Sequence, residues 1–163
     1  MDERRLWKDR SDPRIKTVDD GYQRLSQNIR KYPTEKERKA KRKILIVDDS
    51  VAIRQRIREL LSKSYDVSEA GSGVAAIRSI ALDRPDLVLL DHEMPVCNGL
   101  HMLEMFRSEE DLADIPVIFL TCRDDKEIVK KVLALNVDGY LLKYLNPMEI
   151  KKRIDEHFKR RAL

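Results

Sequence analysis

From Lys43 to the C-terminus, short apolar runs alternate with stretches in which apolar residues return every three or four positions. The runs at 44–47, 87–90 and 117–120 are unbroken, and together with 66–69 and 139–142 they predict five strands. Unbroken runs suit strands covered on both faces, as in a parallel sheet with helices on either side. Between the strands, Ile53, Ile57, Leu60 and Leu61 predict the inward stripe of a first helix, and Val74, Ile77 and Ile80 that of a second. Leu100, Leu103 and Phe106 do the same for a third, Ile128, Val132 and Leu135 for a fourth, and Ile150, Ile154 and Phe158 for a fifth. The fifth has a clear start signal: Asn146 can cap, Pro147 fits the first turn, and Glu149 stands at the capping-box position. Five strand–helix units filling residues 43–160 predict an α/β fold with a doubly wound parallel sheet. They leave no room after the sheet for a DNA-reading or catalytic output domain.

The first 42 residues differ in kind. Residues 1–43 carry 15 Lys and Arg against 8 Asp and Glu, whereas the remainder carries 18 against 21, so the overall charge of +4 conceals two opposite halves. Breakers at Pro13 and Pro33 and a basic run over 36–43 predict an extension, 1–42, ending in a charged linker ahead of one domain over 43–163. Its best element is a helix over 20–31, where Tyr22, Leu25 and Ile29 share one face. A stripe of that kind must be covered, by the domain, by a second copy or by a target. No apolar run reaches the roughly 18 residues that span a bilayer, and Met1 to Arg10 is charged where a signal peptide would be apolar, which predicts a cytoplasmic protein without membrane contact. Cys97 and Cys122 lack metal-ligand spacing and are expected to be reduced, small packing residues.

Chemistry enters at the strand ends, because ligand sites in open parallel sheets lie beyond the carboxyl ends of the strands. Asp48 and Asp49 follow the first strand, Asp91 the third, Thr121 the fourth and Lys143 the fifth. A single Asp in such a place is ordinarily a cap or turn residue; five residues of these types at strand ends are not explained by capping. Three carboxylates at one edge repel one another and stay ionised only beside a cation. Hard oxygen ligands suit Mg²⁺, while a hydroxyl and an ammonium suit a phosphoryl group.

These residues resemble the receiver domains of two-component response regulators, of the chemotaxis and sporulation single-domain kind. The resemblance covers about 120 residues and rests on Ile44-Leu-Ile-Val-Asp-Asp-Ser50, Leu89-Leu-Asp-His-Glu-Met-Pro95 with Gly99, Phe119-Leu-Thr121 and Gly139-Tyr-Leu-Leu-Lys143. It implies a flavodoxin-like five-stranded sheet of order 2-1-3-4-5. It further implies that Asp91 accepts the phosphoryl group, that Asp49 ligates Mg²⁺, that Asp48 acts on the metal mainly through bound water, and that the Glu93 main-chain carbonyl completes the set. Thr121 would bind a phosphoryl oxygen, Lys143 would offset its charge, and Tyr140 would change rotamer. Glu93 and Arg123 stand where the family controls water access, and their opposite charges suggest an ion pair over the site mouth.

The implied protein is a stand-alone switch or relay shuttle. It catalyses its own aspartyl phosphorylation and slow dephosphorylation and is not a conventional enzyme. A sensor histidine kinase or histidine phosphotransfer protein would be its donor, an unidentified protein its target, and a homodimer is a further possibility. An alternative, nucleic-acid binding through the basic extension, is motivated by 36–43, but no helix-turn-helix or zinc pattern accompanies that run. A metal-dependent phosphatase would use the same carboxylates on external phosphomonoesters. His92 is expected to point away from Asp91 and to take no catalytic part. Tyr144 stands where the family commonly has Pro after its Lys, so a trans Lys143–Tyr144 bond is expected, since a cis bond before a non-proline residue costs about 2.5–4 kcal/mol.

Overall fold

A computed structural model describes residues 41–122 and 126–162. The expected helix around Tyr22, Leu25 and Ile29, and Arg123, lie outside the described residues. Five strands, β1 (Lys43–Val47), β2 (Asp66–Ala70), β3 (Leu87–Leu90), β4 (Val117–Thr121) and β5 (Gly139–Leu142), alternate with five helices. The helices are α1 (Val51–Leu61), α2 (Gly73–Leu82), α3 (Gly99–Ser108), α4 (Lys126–Ala134) and α5 (Pro147–Arg161). All strand pairs are parallel and the order is β2-β1-β3-β4-β5, as expected.

Two cores sandwich the sheet, because alternate residues of a strand point to opposite faces. Leu45, Val47, Val88, Leu90, Val117 and Phe119 meet α2, α3 and α4 on one face. On the other, Ile44, Ile46, Leu87, Leu89, Ile118 and Leu120 meet α1 and α5. Burying both faces explains why β1, β3 and β4 read as continuous apolar runs. Tyr65, just after α1, stacks near Phe158 (ring centroids 5.3 Å apart) and donates to Asp155 Oδ1 at 2.5 Å, fastening α1 to α5.

Four helices start on a side-chain cap: Ser50, Ser72, Asn98 and Asn146 each accept a backbone N–H from the first turn. Asn146 takes the N–H of Met148 at 2.9 Å, while the Glu149 carboxylate pairs with Arg153 one turn on. The expected inward stripe of α2 needs correction at Val74, which is 74% exposed. The helix instead seats Gly73, Ala76 and Ile80 on the sheet, with Ile77 partly covered, and small residues there let the helix approach closely. Val74 falls outside that stripe, in solvent. No helix among the described residues is long and apolar enough to cross a membrane.

Candidate functional site at the carboxyl edge of the sheet

The polar residues that the sequence places after the strands converge in space. Asp48 continues the β1 ladder by donating its N–H to Ala70 O (3.1 Å), and Asp91 does the same to Val47 O (2.8 Å). Lys143 N donates to Thr121 O (2.8 Å) beyond β5. With the strand order β1-β3-β4-β5, these bonds set Asp48, Asp91 and Lys143 in one row with Thr121, the last residue of β4. Asp48 (2% exposed), Asp91 (4%), Thr121 (1%) and Lys143 (8%) are all buried; among the described residues, only His157 is a further buried polar residue. Asp49 is exposed at the rim.

The electrostatics centre on Lys143. Its ammonium lies 2.5 Å from Asp48 Oδ2 and 2.9 Å from Asp91 Oδ2. Burial works against its charge, but the hydrogen bonds and charges of Asp48 and Asp91 outweigh it and raise the lysine above its ordinary range, so it stays protonated. Burial raises the Asp91 carboxyl above the usual carboxylate range; Asp48 adds to the rise, while Lys143 and the Glu93 N–H, donated to Oδ1 at 3.3 Å, oppose it. Asp48, Asp49 and Asp91 present carboxylate oxygens that all lie within 4.8 Å of one another. Two of the three are buried, where like charges strain most against each other. One ammonium leaves two negative charges of this trio uncompensated. A donor set of hard oxygens with surplus negative charge fits a small divalent cation such as Mg²⁺.

The loops beside the site are tightly constrained. Gly99 opens α3 with its N–H on His92 O (3.0 Å), and a Cβ there would stand 2.1 Å from Asp91 O, so only glycine permits this approach. The motif contained Gly99, but no pattern in the sequence announces a helix end pressed onto the Asp91 backbone. Val96 has φ of 70° in the β3–α3 connection, and Cys97 N donates to Pro95 O at 2.8 Å, closing a three-residue turn about it.

His92 turns its ring toward Phe119, with centroids 6.3 Å apart. Tyr140 is half-buried and packs against the core that contains Phe119 and Val132. Glu93 is exposed, and its expected partner Arg123 lies outside the described residues. Cys97 packs partly into the core near Gly73, but Cys122 is exposed, against the expectation of a packing residue. The chain leaves the sheet after Thr121, so the side chain that follows has no layer to enter. Every peptide bond among the described residues is trans, Lys143–Tyr144 included.

Comparison with known proteins agrees with this architecture. The family model described as the response regulator receiver domain matches residues 44–155. Response regulator MprA of Mycobacterium ulcerans is 38% identical over 122 residues, 74% of this chain and 52% of its own. Sensor histidine kinase TmoS of Ectopseudomonas mendocina is 33% identical over 112 residues, 69% of this chain but 12% of its own. The chain thus spans about half or less of the length of the curated relatives it matches. Among solved structures, chemotaxis protein CheY4 of Vibrio cholerae at low pH superposes with a TM-score of 0.67 at 30% identity, covering 72% of this chain and 98% of its own. The Mn²⁺-bound form of response regulator Rcp1 gives 0.61 at 30% identity, covering 68% and 87%. The chain belongs to the response regulator receiver family of two-component signalling.

Proposed function

We propose that this receiver takes a phosphoryl group onto Asp91 from a phosphohistidine donor, and that the added charge switches a protein-binding surface built from α4, β5 and α5. The observation that carries the reading is the buried Lys143 ammonium shared by Asp48 and Asp91 at the carboxyl edge of the sheet. Asp48, Asp49 and Asp91, with the Glu93 carbonyl, are the residues to hold Mg²⁺, which when bound would neutralise charge on a phosphoryl oxygen.

Phosphoryl transfer asks a protein for positioning and charge stabilisation more than for covalent chemistry. An Asp91 oxygen attacks phosphorus in line, the P–N bond to the donor imidazole breaks, and its electron pair leaves with the imidazole nitrogen. Lys143 offsets charge on the transferring group, and the Thr121 hydroxyl donates to one of its oxygens. Water attacking phosphorus later cleaves the P–O bond to Asp91, releases inorganic phosphate and restores the carboxylate, so the signal terminates itself.

Sheet geometry supports the coupling to a surface. Phe119 and Thr121, two apart on β4, point to one face, and Tyr140 pairs with Phe119 across β4 and β5. Thr121 and Tyr140 thus share the face that α4 covers. A shift of Thr121 toward a phosphoryl oxygen would free space toward which Tyr140 can turn.

The reading places the protein in the cytoplasm as a phosphorylation switch, with a histidine kinase or phosphotransfer protein upstream and a protein target downstream. Its test is intact mass after incubation with a small acyl phosphate. One phosphoryl group should be gained with Mg²⁺ and none without it, and Asp91→Asn should gain none. Undiminished labelling of that variant would sink the assignment.

A further inference from the structure

Asp49 contributes its carboxylate to the acidic trio from the rim, yet the structure records no hydrogen bond or ion pair to that carboxylate from any described residue. What directs it is its main chain, and the main chain there is held by a side chain from α1. The Arg54 guanidinium donates through Nη1 to the carbonyls of both Asp48 (2.7 Å) and Asp49 (3.2 Å). These carbonyls belong to the two peptide planes that flank the Asp49 Cα. Because each plane is rigid, fixing both fixes the torsions between them and so the direction of the Asp49 Cα–Cβ bond.

Arg54 is itself anchored on other sides. Its Nε lies 3.4 Å from Glu69 Oε2 on β2, and Glu69 is held again by Arg58 at 2.9 Å. Gly71, after β2, closes over it: a Cβ added there would stand 3.2 Å from Arg54 Nη1. The Ser50 N–H adds a local tie by donating to Asp48 Oδ1 at 2.9 Å. The guanidinium side chain is only 14% exposed, well covered for an arginine.

We infer that Arg54 is a positioning residue for the cation site: by clamping the Asp48 and Asp49 carbonyls it aims the Asp49 carboxylate and so sets the affinity for a divalent cation. This rests on the cation-binding reading of the acidic trio. Groups that orient metal ligands without touching the metal commonly alter affinity by 10–100-fold when removed.

The test is Mn²⁺ titration of the full chain by calorimetry, with melting temperature and acyl-phosphate kinetics measured beside it. Arg54→Met should weaken Mn²⁺ binding by about tenfold or more. Its labelling should be rescued at saturating metal, a shift in the metal requirement rather than in the maximal rate. Arg54→Lys, which keeps one donor, should fall between the two. Arg58→Met, which removes a Glu69 partner but neither carbonyl contact, should lower the melting temperature and leave affinity unchanged. Should Arg54→Met fail to fold, Gly71→Ala, which crowds the guanidinium, should weaken Mn²⁺ binding in its place. Equal affinity of wild type and a folded Arg54→Met, or equal loss in Arg58→Met, would overturn the role of Arg54 alone. A wild-type chain that binds no Mn²⁺ would overturn the cation-binding reading and this inference with it.

Discussion

Each edge of the sheet holds a covered cation, and the two are satisfied in opposite ways. At the carboxyl edge Lys143 faces carboxylates, which outnumber it. At the amino edge Arg107 of α3 donates to four neutral carbonyls: Leu135 (3.1 Å), Asn136 (2.9 Å), Ala113 (3.1 Å) and Ile115 (3.1 Å). Those carbonyls end α4 and shape the connection into β4, so one guanidinium closes two loops with four of its five N–H groups. Its neighbour Asp138 is likewise consumed by Val117 N (3.1 Å) and Arg161 (3.3 Å). A closed set of polar groups stabilises and does little else, whereas a cluster with surplus charge is poised to bind.

The contrast predicts that removing each cation damages a different property. Lys143→Met should slow phosphoryl uptake by about 10²–10³-fold, the usual cost of deleting one group that stabilises developing charge. Rapid-quench labelling at saturating Mg²⁺ would measure it, and a loss below threefold would remove Lys143 from the chemistry. Arg107→Met should instead cost about 2–3 kcal/mol of stability, since several carbonyls lose their donor and water recovers only part of that loss. Urea unfolding reports this cost, and the labelling rate of the folded variant should stay unchanged.

These two edges were not equally legible in the sequence. Strands buried on both faces announce themselves as apolar runs, and Asp48, Asp49, Asp91, Thr121 and Lys143 fall at their ends, where a parallel sheet must bring them together. Arg54 and Arg107 gave no comparable signal. An arginine that donates to main-chain carbonyls needs no particular residue opposite it, so no pairing shows in the sequence. Val74 misled because the three apolar residues at 74, 77 and 80 outrank glycine and alanine in any hydrophobic reading, while packing favoured Gly73 and Ala76 for their size. His157 went unnoticed for a related reason: on α5 it takes a core position between Ile154 and the last turn that composition alone assigns to solvent.

His157 offers a smaller test of the closed edge. Burial lowers its pKa; Asp138 opposes this, and the positive Arg161 and Arg160 reinforce it. Its Nε2 has no hydrogen-bond partner among the described residues. A group whose folded pKa lies below its unfolded value near 6.5 binds fewer protons when folded. Its contribution to stability is therefore full above pH about 6.5 and is lost as pH falls below it toward the folded value. His157→Phe should flatten the dependence of urea stability on pH below about 6.5; an unchanged slope would show that other groups cause it.

The smallest expected effect is at Val96, whose positive φ is costly for a β-branched residue. Val96→Gly should stabilise the chain by up to about 1 kcal/mol, the relief of strain being partly offset by the entropy of glycine. A loss of stability in thermal unfolding would mean that the turn tolerates valine without strain.

The most direct test of the surplus charge at the carboxyl edge is to locate the phosphoryl group chemically. After labelling with acyl phosphate and Mg²⁺, borohydride reduction converts an aspartyl phosphate to homoserine, which peptide mass mapping can place. The account predicts homoserine at position 91 alone; homoserine at 48 or 49, or none at 91 in a chain that has gained a phosphoryl group, would contradict it.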